Sequence, residues 1–569
     1  IGEWVVQPQS SIAIEVPSGT YYVVTPLTPS TCGEQPPLYV YYGYGAPIGI
    51  SSFEPVNTTA VLGFFNITAM SAYNPRGSQF ASPNTGASLQ LNVFLEVQLS
   101  DGSTQYYWLQ NVVEFVTGSS NYEVGDALWN ATSAGSPLSK SAVVGRGYVS
   151  QSSLGGMYGY GTWYYNYSLP LAGYLSISIM STNPLTLLFC YAIIQSGNQY
   201  YPPSFNCYDM VTIHTPQPVV SAYLTTQPGV VTRLGNIVDT ELVIGGYGSG
   251  EYTTFTNMSA YLALLYLSNG EWVPYSDLFM NGWDTAETAT NLVSSVMPNG
   301  FVYVTTGELP SNGSSTFLAS TIPTPVLPMT YMSILNTASN ETWSGYITSP
   351  VTYTFPQVIV NGTIEYVLSS VTVNGKPTSS STVTITPSSN FASFSIEASY
   401  KKYYLVSISS LVPVTVSTYN ETTTTTSFSE WLPSGSVISI GVPNTYILSN
   451  GTRLVYLGRN ESITVDSPMS LAINQFTRQY LVSIVSQYPV SVNGTKTTQF
   501  TAWASPGTTI TIAPATVFSN GVFMTEPGYS ITVNGPVSMA VQWSINWLLT
   551  AALYTAIALV IIAAITTRR

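Results

Sequence analysis

The chain has 569 residues, 26 Asp and Glu against 13 Lys and Arg, a formal net charge of −13 at pH 7, and only 7% charged residues. So few cations exclude nucleic acid as a partner, since phosphates must be met by Lys and Arg. The single histidine, His214, excludes multi-histidine metal sites and leaves any Ser/His or Cys/His mechanism resting on an imidazole that acid keeps protonated.

Low charge density suits an acidic medium: at about pH 2 to 3 most carboxylates are protonated, and the chain becomes mildly cationic instead of self-repelling. The length predicts several domains. The chain begins at Ile1 without Met, which reads as a mature N-terminus after signal removal. From Ser10 to Asn130 short runs rich in Val, Ile, Tyr and Thr are broken by Pro, Gly and Asn about every ten residues, the pattern of an all-β, antiparallel β-sandwich. Cys32 is left over from any pairing, as an idle thiol or as half of an intermolecular bridge. Twelve sequons, at Asn57, Asn66, Asn130, Asn166, Asn257, Asn312, Asn340, Asn361, Asn420, Asn450, Asn460 and Asn493, predict an exposed ectodomain carrying N-linked glycans.

Strand periodicity places Leu89, Leu91, Val93, Leu95 and Val97 on one face and Gln90, Asn92, Phe94, Glu96 and Gln98 on the other. The next run groups Trp108, Gln110, Val112 and Glu114. A face of amides, carboxyls and aromatics is suited to a concave substrate groove; the plainer reading is a solvated sheet face. Cys190 and Cys207 flank a loop of the length expected for a surface disulfide, with no second CxxC to suggest zinc.

The run from Asp239 to Asn291 concentrates the scarce carboxyls: Asp239, Glu241, Glu251, Glu271, Asp277, Asp284 and Glu287. In TELVI, Asp239 and Glu241 share one face and Leu242 and Ile244 the other. GGYGSG lacks the Lys and Ser/Thr of a phosphate loop and precedes Glu251, so it reads as a turn, and no cofactor is expected. DTAETATNLVSSV predicts a short helix with Asp284 as N-cap and Glu287 completing a capping box, a structural use for both acids.

ELVIGGYGSGE, GWDTAETATN, APIGI at Ala46–Ile50 and ASLQLNVFLEVQLSDGSTQYYWLQNVVEF at Ala87–Phe115 occur in an order that resembles the thermopsin family of archaeal acid peptidases, across roughly residues 20–330. The resemblance implies secretion, a β-rich (jelly-roll-like) fold and hydrolysis of unfolded proteins or peptides at low pH. Carboxyl chemistry of that kind is available in two forms. One is an acid–acid dyad drawn from Asp239, Glu241, Asp284 and Glu287. The other is a Glu base with a Gln amide, for which YYWLQNVVEF and TELVIGG resemble the strand motifs of fungal glutamic peptidases; Gln110 and Glu241, with Glu114 nearby, then share a water from neighbouring strands. The plainer reading of Gln110 is a cross-strand amide ladder.

After residue 330 the carboxyls thin out and a repeat appears. YLVSISSLVPVTV (404–416) matches YLVSIVSQYPVSV (480–492), each followed by Trp and a Pro/Gly turn, Trp431 with Gly435 and Trp503 with Gly507. The modules resemble stalk repeats of archaeal surface proteins, and Thr422–Thr426 reads as a loop or O-glycosylated patch. The expected organisation is a sandwich region at 1–330, a β stalk module at 331–400, repeat modules at 401–470 and 471–540, and a transmembrane helix with a short tail at 543–567. Trp547–Ile565 carries no charge and rises about 28 Å as a helix, enough for a bilayer core. Trp543 and Trp547 suit the outer interface, with Arg568 and Arg569 inside. The expectation is a single-pass, extracellular acid endopeptidase with a lipid bilayer and surface-layer neighbours as partners; the alternative is a non-catalytic structural or adhesive surface glycoprotein on the same fold.

Overall fold

The structure is a computed structural model that describes residues 47–568 apart from 79–80, 82–83, 133–137, 153–154, 163–164, 231, 233–236, 249, 286 and 309–316. Cys32, Ala46, Asn312, Arg569 and the Ser10 to Ala46 part of the strand pattern lie outside the described residues. The chain divides into two compact units, the first containing residues up to 336 with 340–354 and 371–398, the second 337–339, 355–370 and 399–569.

The first unit is an all-β sandwich, mostly antiparallel, as the sequence pattern predicts. One sheet runs Phe317–Ala319, Leu278–Asn281, Ile48–Ser52, Thr240–Gly245, Gly86–Leu99, Thr104–Val116, Asn121–Asn130, Gly155–Gly161, Tyr148–Ser152. The facing sheet is centred on Tyr252–Ser268, Ala60–Tyr73, Leu171–Thr182, Leu185–Ser196 and Asn206–Ile213. Leu89, Leu91, Val93, Leu95, Val97, Leu242 and Ile244 from the first meet Val61, Phe65, Ile67, Leu175, Ile177 and Leu262 from the second in one buried core. Each such side chain contributes about 1.5–3 kcal/mol of burial. A one-residue slip of the Gly86–Leu99 strand would exchange this row for Gln90, Asn92 and Glu96, so the apolar alternation fixes the register and with it the direction of every polar side chain. Leu242 lies across Gly63, where an added Cβ would stand 2.8 Å from Leu242 Cδ1.

The short helix predicted after Asp284 does not form. Thr288–Thr290 and Leu292–Val296 are strands, the former parallel to Tyr252–Thr254. Thr288, Thr290, Val293 and Val296 favour extended backbone, and Asn291 sits between the strands at φ 63°, a left-handed conformation that interrupts a helix, with Nδ2 donating to Phe255 O at 2.7 Å. Cys190 and Cys207 stand opposite one another on adjacent strands and are joined by a disulfide. His214 is exposed just past the end of Asn206–Ile213.

In the second unit the repeated sequences make the same structure twice. Leu405 pairs with Trp431 and Leu481 with Trp503, both hairpins shift register before the Val-rich end, and each repeat strand takes a parallel partner, Val406 with Met469 and Val482 with Val537. The turn glycines Gly435 and Gly507 both have φ near 80°, at 81° and 82°, which a side chain would resist. The Thr422–Thr426 run lies in the Thr422–Pro433 strand. The only helix among the described residues is Trp547–Thr566, 20 residues long, with mean hydropathy 2.5 over an 18-residue stretch and almost wholly exposed. Asn546 caps it, its side chain accepting from Leu549 N at 3.0 Å.

Candidate active site

The polar face of the first sheet carries the candidates. Parity turns Glu241 away from the core that Leu242 and Ile244 enter, and its register partner across the sheet is Asn92, whose partner in turn is Gln110. Glu241 and Gln110 therefore share a face but not a strand pair: the central Gly86–Leu99 strand separates them, which at ~4.8 Å per strand puts their backbones about 10 Å apart. This corrects the expectation of neighbouring strands. What fills the gap is an amide row. Asn92 Nδ2 donates to Glu241 Oε2 at 3.1 Å, Gln110 Nε2 donates to Gln90 Oε1 at 3.0 Å, and Asn92 Nδ2 lies 3.5 Å from the same Gln90 oxygen. The plainer reading of Gln110, a cross-strand amide ladder, describes its contacts.

Glu241 has no solvent exposure, and Asp239 and Asp284 have 1% each. Glu241 Oε1 accepts from the main-chain N–H of Trp283 and from that of Asp284 at 3.3 Å, while Asp284 Oδ1 accepts from Ile237 N at 2.9 Å. Asp239 lies within hydrogen-bond reach of both Glu241 and Asp284. The turn that brings Asp284 in is fixed locally: Gly282 N donates to Pro47 O at 2.8 Å, Trp283 Nε1 donates to Ser51 Oγ at 2.9 Å, and the Trp283 ring packs edge-on against Phe53. Glycine at position 282 leaves room for that carboxyl, since a Cβ there would stand 3.1 Å from Glu241 Oε2 and force it to shift.

Three buried carboxyls linked through Asp239 cannot all be ionised. Two charges about 4 Å apart at an effective dielectric of about 20 repel by ~4 kcal/mol, so the cluster holds protons. Burial, then the charges of Glu241 and Asp284, push the Asp239 carboxyl well above the usual carboxylate range. Burial also raises Glu241, but the Trp283 amide, Asn92, Asp239 and the Asp284 amide all stabilise its anion. Asp239 is thus the proton holder and Glu241 the better-supported carboxylate, the asymmetry that general acid–base chemistry needs.

The structure separates the Asp284 and Glu287 pair. Glu287 Oε1 accepts from Gly250 N at 3.1 Å, its Oε2 accepts from the Thr285 hydroxyl, and it reaches Gln90 rather than Asp284. Glu114 stands opposite Glu123 in the ladder and is raised by burial, then by Glu123, Glu287 and Glu251. These form a second acidic group further along the same face. At its other end the face becomes aromatic, with Phe94, Trp108, Trp129 and Val238 buried together and the two indoles 4.5 Å apart. Asn92 and Gln90 were not among the sequence-predicted candidates. The signal was present, because both share the parity of Gln110 and Glu241; what the sequence lacked was the order of the strands.

Comparisons with known proteins give the family of the chain. A sequence model of the thermopsin family matches residues 35–292. Thermopsin of Sulfolobus acidocaldarius is 38% identical over 276 residues, covering 46% of this chain and 80% of that protein. A crystal structure of scytalido-glutamic peptidase with a transition state analog inhibitor aligns with 46% of this chain and 98% of its own at 12% identity and a TM-score of 0.25, too remote to carry an argument about the site. Identity at that level over most of the relative's length, with the family match across residues 35–292, places this chain in the thermopsin family of acid peptidases.

Proposed function

We propose that the chain is a membrane-anchored extracellular acid endopeptidase whose catalytic centre is Asp239, Glu241 and Asp284. Glu241 takes a proton from the attacking water. Asp239 donates its proton to the departing amine, and Asp284 keeps that proton on Asp239 by disfavouring a second charge. Asn92 and the main-chain N–H groups of Trp283 and Asp284 hold the Glu241 carboxylate in place, and Gln90 and Gln110 hold Asn92. Glu241 has no solvent exposure, so a peptide reaches it only on local opening of the face that leaves the Trp283–Asp284 turn in place. The observation that carries this reading is the buried contact of three carboxyls, one supported as an anion and one as an acid. Glu287 and Glu114 set the electrostatics of the far end of the face.

The apolar, exposed helix supports a bilayer anchor. Nine sequon asparagines, Asn57, Asn166, Asn257, Asn340, Asn361, Asn420, Asn450, Asn460 and Asn493, are exposed and so open to N-linked glycans, while Asn66 and Asn130 are half-buried. The repeat modules suit a stalk among surface-layer neighbours. The test is cleavage of an unfolded protein by the full chain in detergent from pH 2 to 8. Turnover confined to acid is expected; no turnover at any acidic pH would favour a non-catalytic surface glycoprotein.

A further inference from the structure

A second pair of carboxyls lies on the opposite face of the same sheet, inside the sandwich, where the proposed chemistry does not use it. Asp126 belongs to the Asn121–Asn130 strand and points inward with Val124 and Leu128. Asp209 comes from Asn206–Ile213 in the facing sheet. They are 6% and 1% exposed and within hydrogen-bond reach of each other.

Their surroundings are unequal. Asp209 Oδ1 accepts from Arg146 N at 3.0 Å and Met210 N at 2.8 Å, and its Oδ2 accepts from the Tyr158 hydroxyl, which itself accepts from Gly147 N at 2.8 Å. Asp126 meets no well-aligned N–H or O–H donor; the Tyr160 amide beside it offsets its burial only in small part. Beyond these, the pair is faced by phenols. Tyr208 donates to Asn111 Oδ1 at 3.0 Å and packs against Tyr160 and Tyr191. Asn111 crosses the sandwich in the other direction, donating to Ser176 O at 3.0 Å and Cys190 O at 2.9 Å. The Arg146 side chain is exposed, and its contact with the pair is through the main chain. Two acceptor groups in contact with no cation between them require a proton, and Asp209, with three donors already on it, is the natural carboxylate.

We propose that Asp126 and Asp209 form a proton-shared clasp between the two sheets, closed while Asp126 holds its proton and opening with release of that proton, so that the sandwich loosens along the Asn121–Asn130 and Asn206–Ile213 strands as pH rises above the ordinary carboxyl range. The balance is simple. Asp126 O–H donates to Asp209 carboxylate when closed. Loss of that one proton to solvent leaves two buried anions from opposite sheets that repel, and nothing else in the contact changes. Burial and the Asp209 charge raise the Asp126 carboxyl to about 9, so the closed clasp keeps its proton at neutrality, and opening, which lets Asp126 ionise in water, becomes easier with each pH unit above the ordinary carboxyl range.

The test is amide hydrogen exchange of the full chain in detergent, corrected for intrinsic rates, at pH 3 and pH 8, in wild type and Asp126→Asn. Asparagine keeps the shape and an N–H donor toward Asp209 and cannot ionise. Amides of these two strands should exchange at least ten-fold slower in Asp126→Asn than in wild type at pH 8 and within about three-fold of it at pH 3. An equal loss of protection in both proteins between pH 3 and 8, or destabilisation by Asp126→Asn to the same extent at both pH values, would overturn the clasp. If Asp126→Asn does not fold, Tyr158→Phe provides the second readout: removing a donor from Asp209 should steepen the loss of protection with pH, and an unchanged slope would overturn the proposal. Neither result depends on peptidase activity.

Discussion

Glu241→Gln tests the proposed base while leaving the fold nearly untouched, and its cost can be worked from the contacts. Glu241 accepts at Oε1 from the Trp283 and Asp284 amides and at Oε2 from Asn92 Nδ2. A glutamine that turns its carbonyl oxygen to the two main-chain amides presents NH2 to Asn92, donor to donor. Asn92 can turn its own amide, because its Oδ1 is buried without a partner, and it then gives up only the weak 3.5 Å contact to Gln90. The net loss is about one hydrogen bond, roughly 1 kcal/mol, which in acid should lower the unfolding midpoint by only a few degrees. Hydrolysis should fall by about two to four orders of magnitude, since the amide cannot take the proton from water. The assay pairs initial rates on an unfolded protein at acidic pH with thermal unfolding of the same sample. Retained activity within about ten-fold of wild type, in a folded protein, would refute Glu241 as the base. Loss of both activity and fold would refute the claim that Asn92 can compensate.

Asp239→Asn should reduce turnover about as far as Glu241→Gln and, because the acid is gone, should also remove the loss of activity on the high-pH side of any residual rate profile; an unchanged profile would place the acid elsewhere. Gln110→Ala should cost about ten-fold or less, because Gln110 meets Gln90 rather than Glu241, and a loss as large as that of Glu241→Gln would restore the direct Glu–Gln pairing. Asp239, Glu241, Glu114 and Glu287 are all raised in the folded state. The stability they contribute is therefore complete below the unfolded carboxyl range near pH 4 and declines as pH rises toward their folded values, by up to about 1.4 kcal/mol per pH unit for each group kept neutral. Guanidinium midpoints should fall from pH 4 to pH 8, and a rise would contradict the buried clusters. Leu242→Ala empties a fully buried position between the sheets and should cost about 3–5 kcal/mol in acid, read from the same midpoints; a loss below about 1 kcal/mol would mean that the sheets close over the gap. The chain ended at Asn546 should partition into water on detergent phase separation while the full chain stays with detergent.

The sequence by itself determined what depends on neighbours in the chain. Period-two alternation fixed which side of each strand is apolar, so Glu241 and Gln110 were correctly assigned to the face opposite Leu242 and Leu109, and an uncharged terminal run was enough to specify the helix. Spacing of the two Val-rich runs likewise revealed a structure made twice. Only the tertiary structure decided which strands are neighbours. The order that puts Gly86–Leu99 between Thr240–Gly245 and Thr104–Val116 inserted Asn92 between the expected partners; the hairpin of the last two strands is local, but the pairing of Glu241 with Asn92 joins residues 149 positions apart, and no local signal carries it. The same holds for Asp284. Its local sequence favoured a helix cap, but the fold holds that segment against Pro47 and Ser51 and turns the following residues into strands, since a carboxyl brought against Glu241 and Asp239 is settled by long-range packing and not by the propensities of DTAETATN.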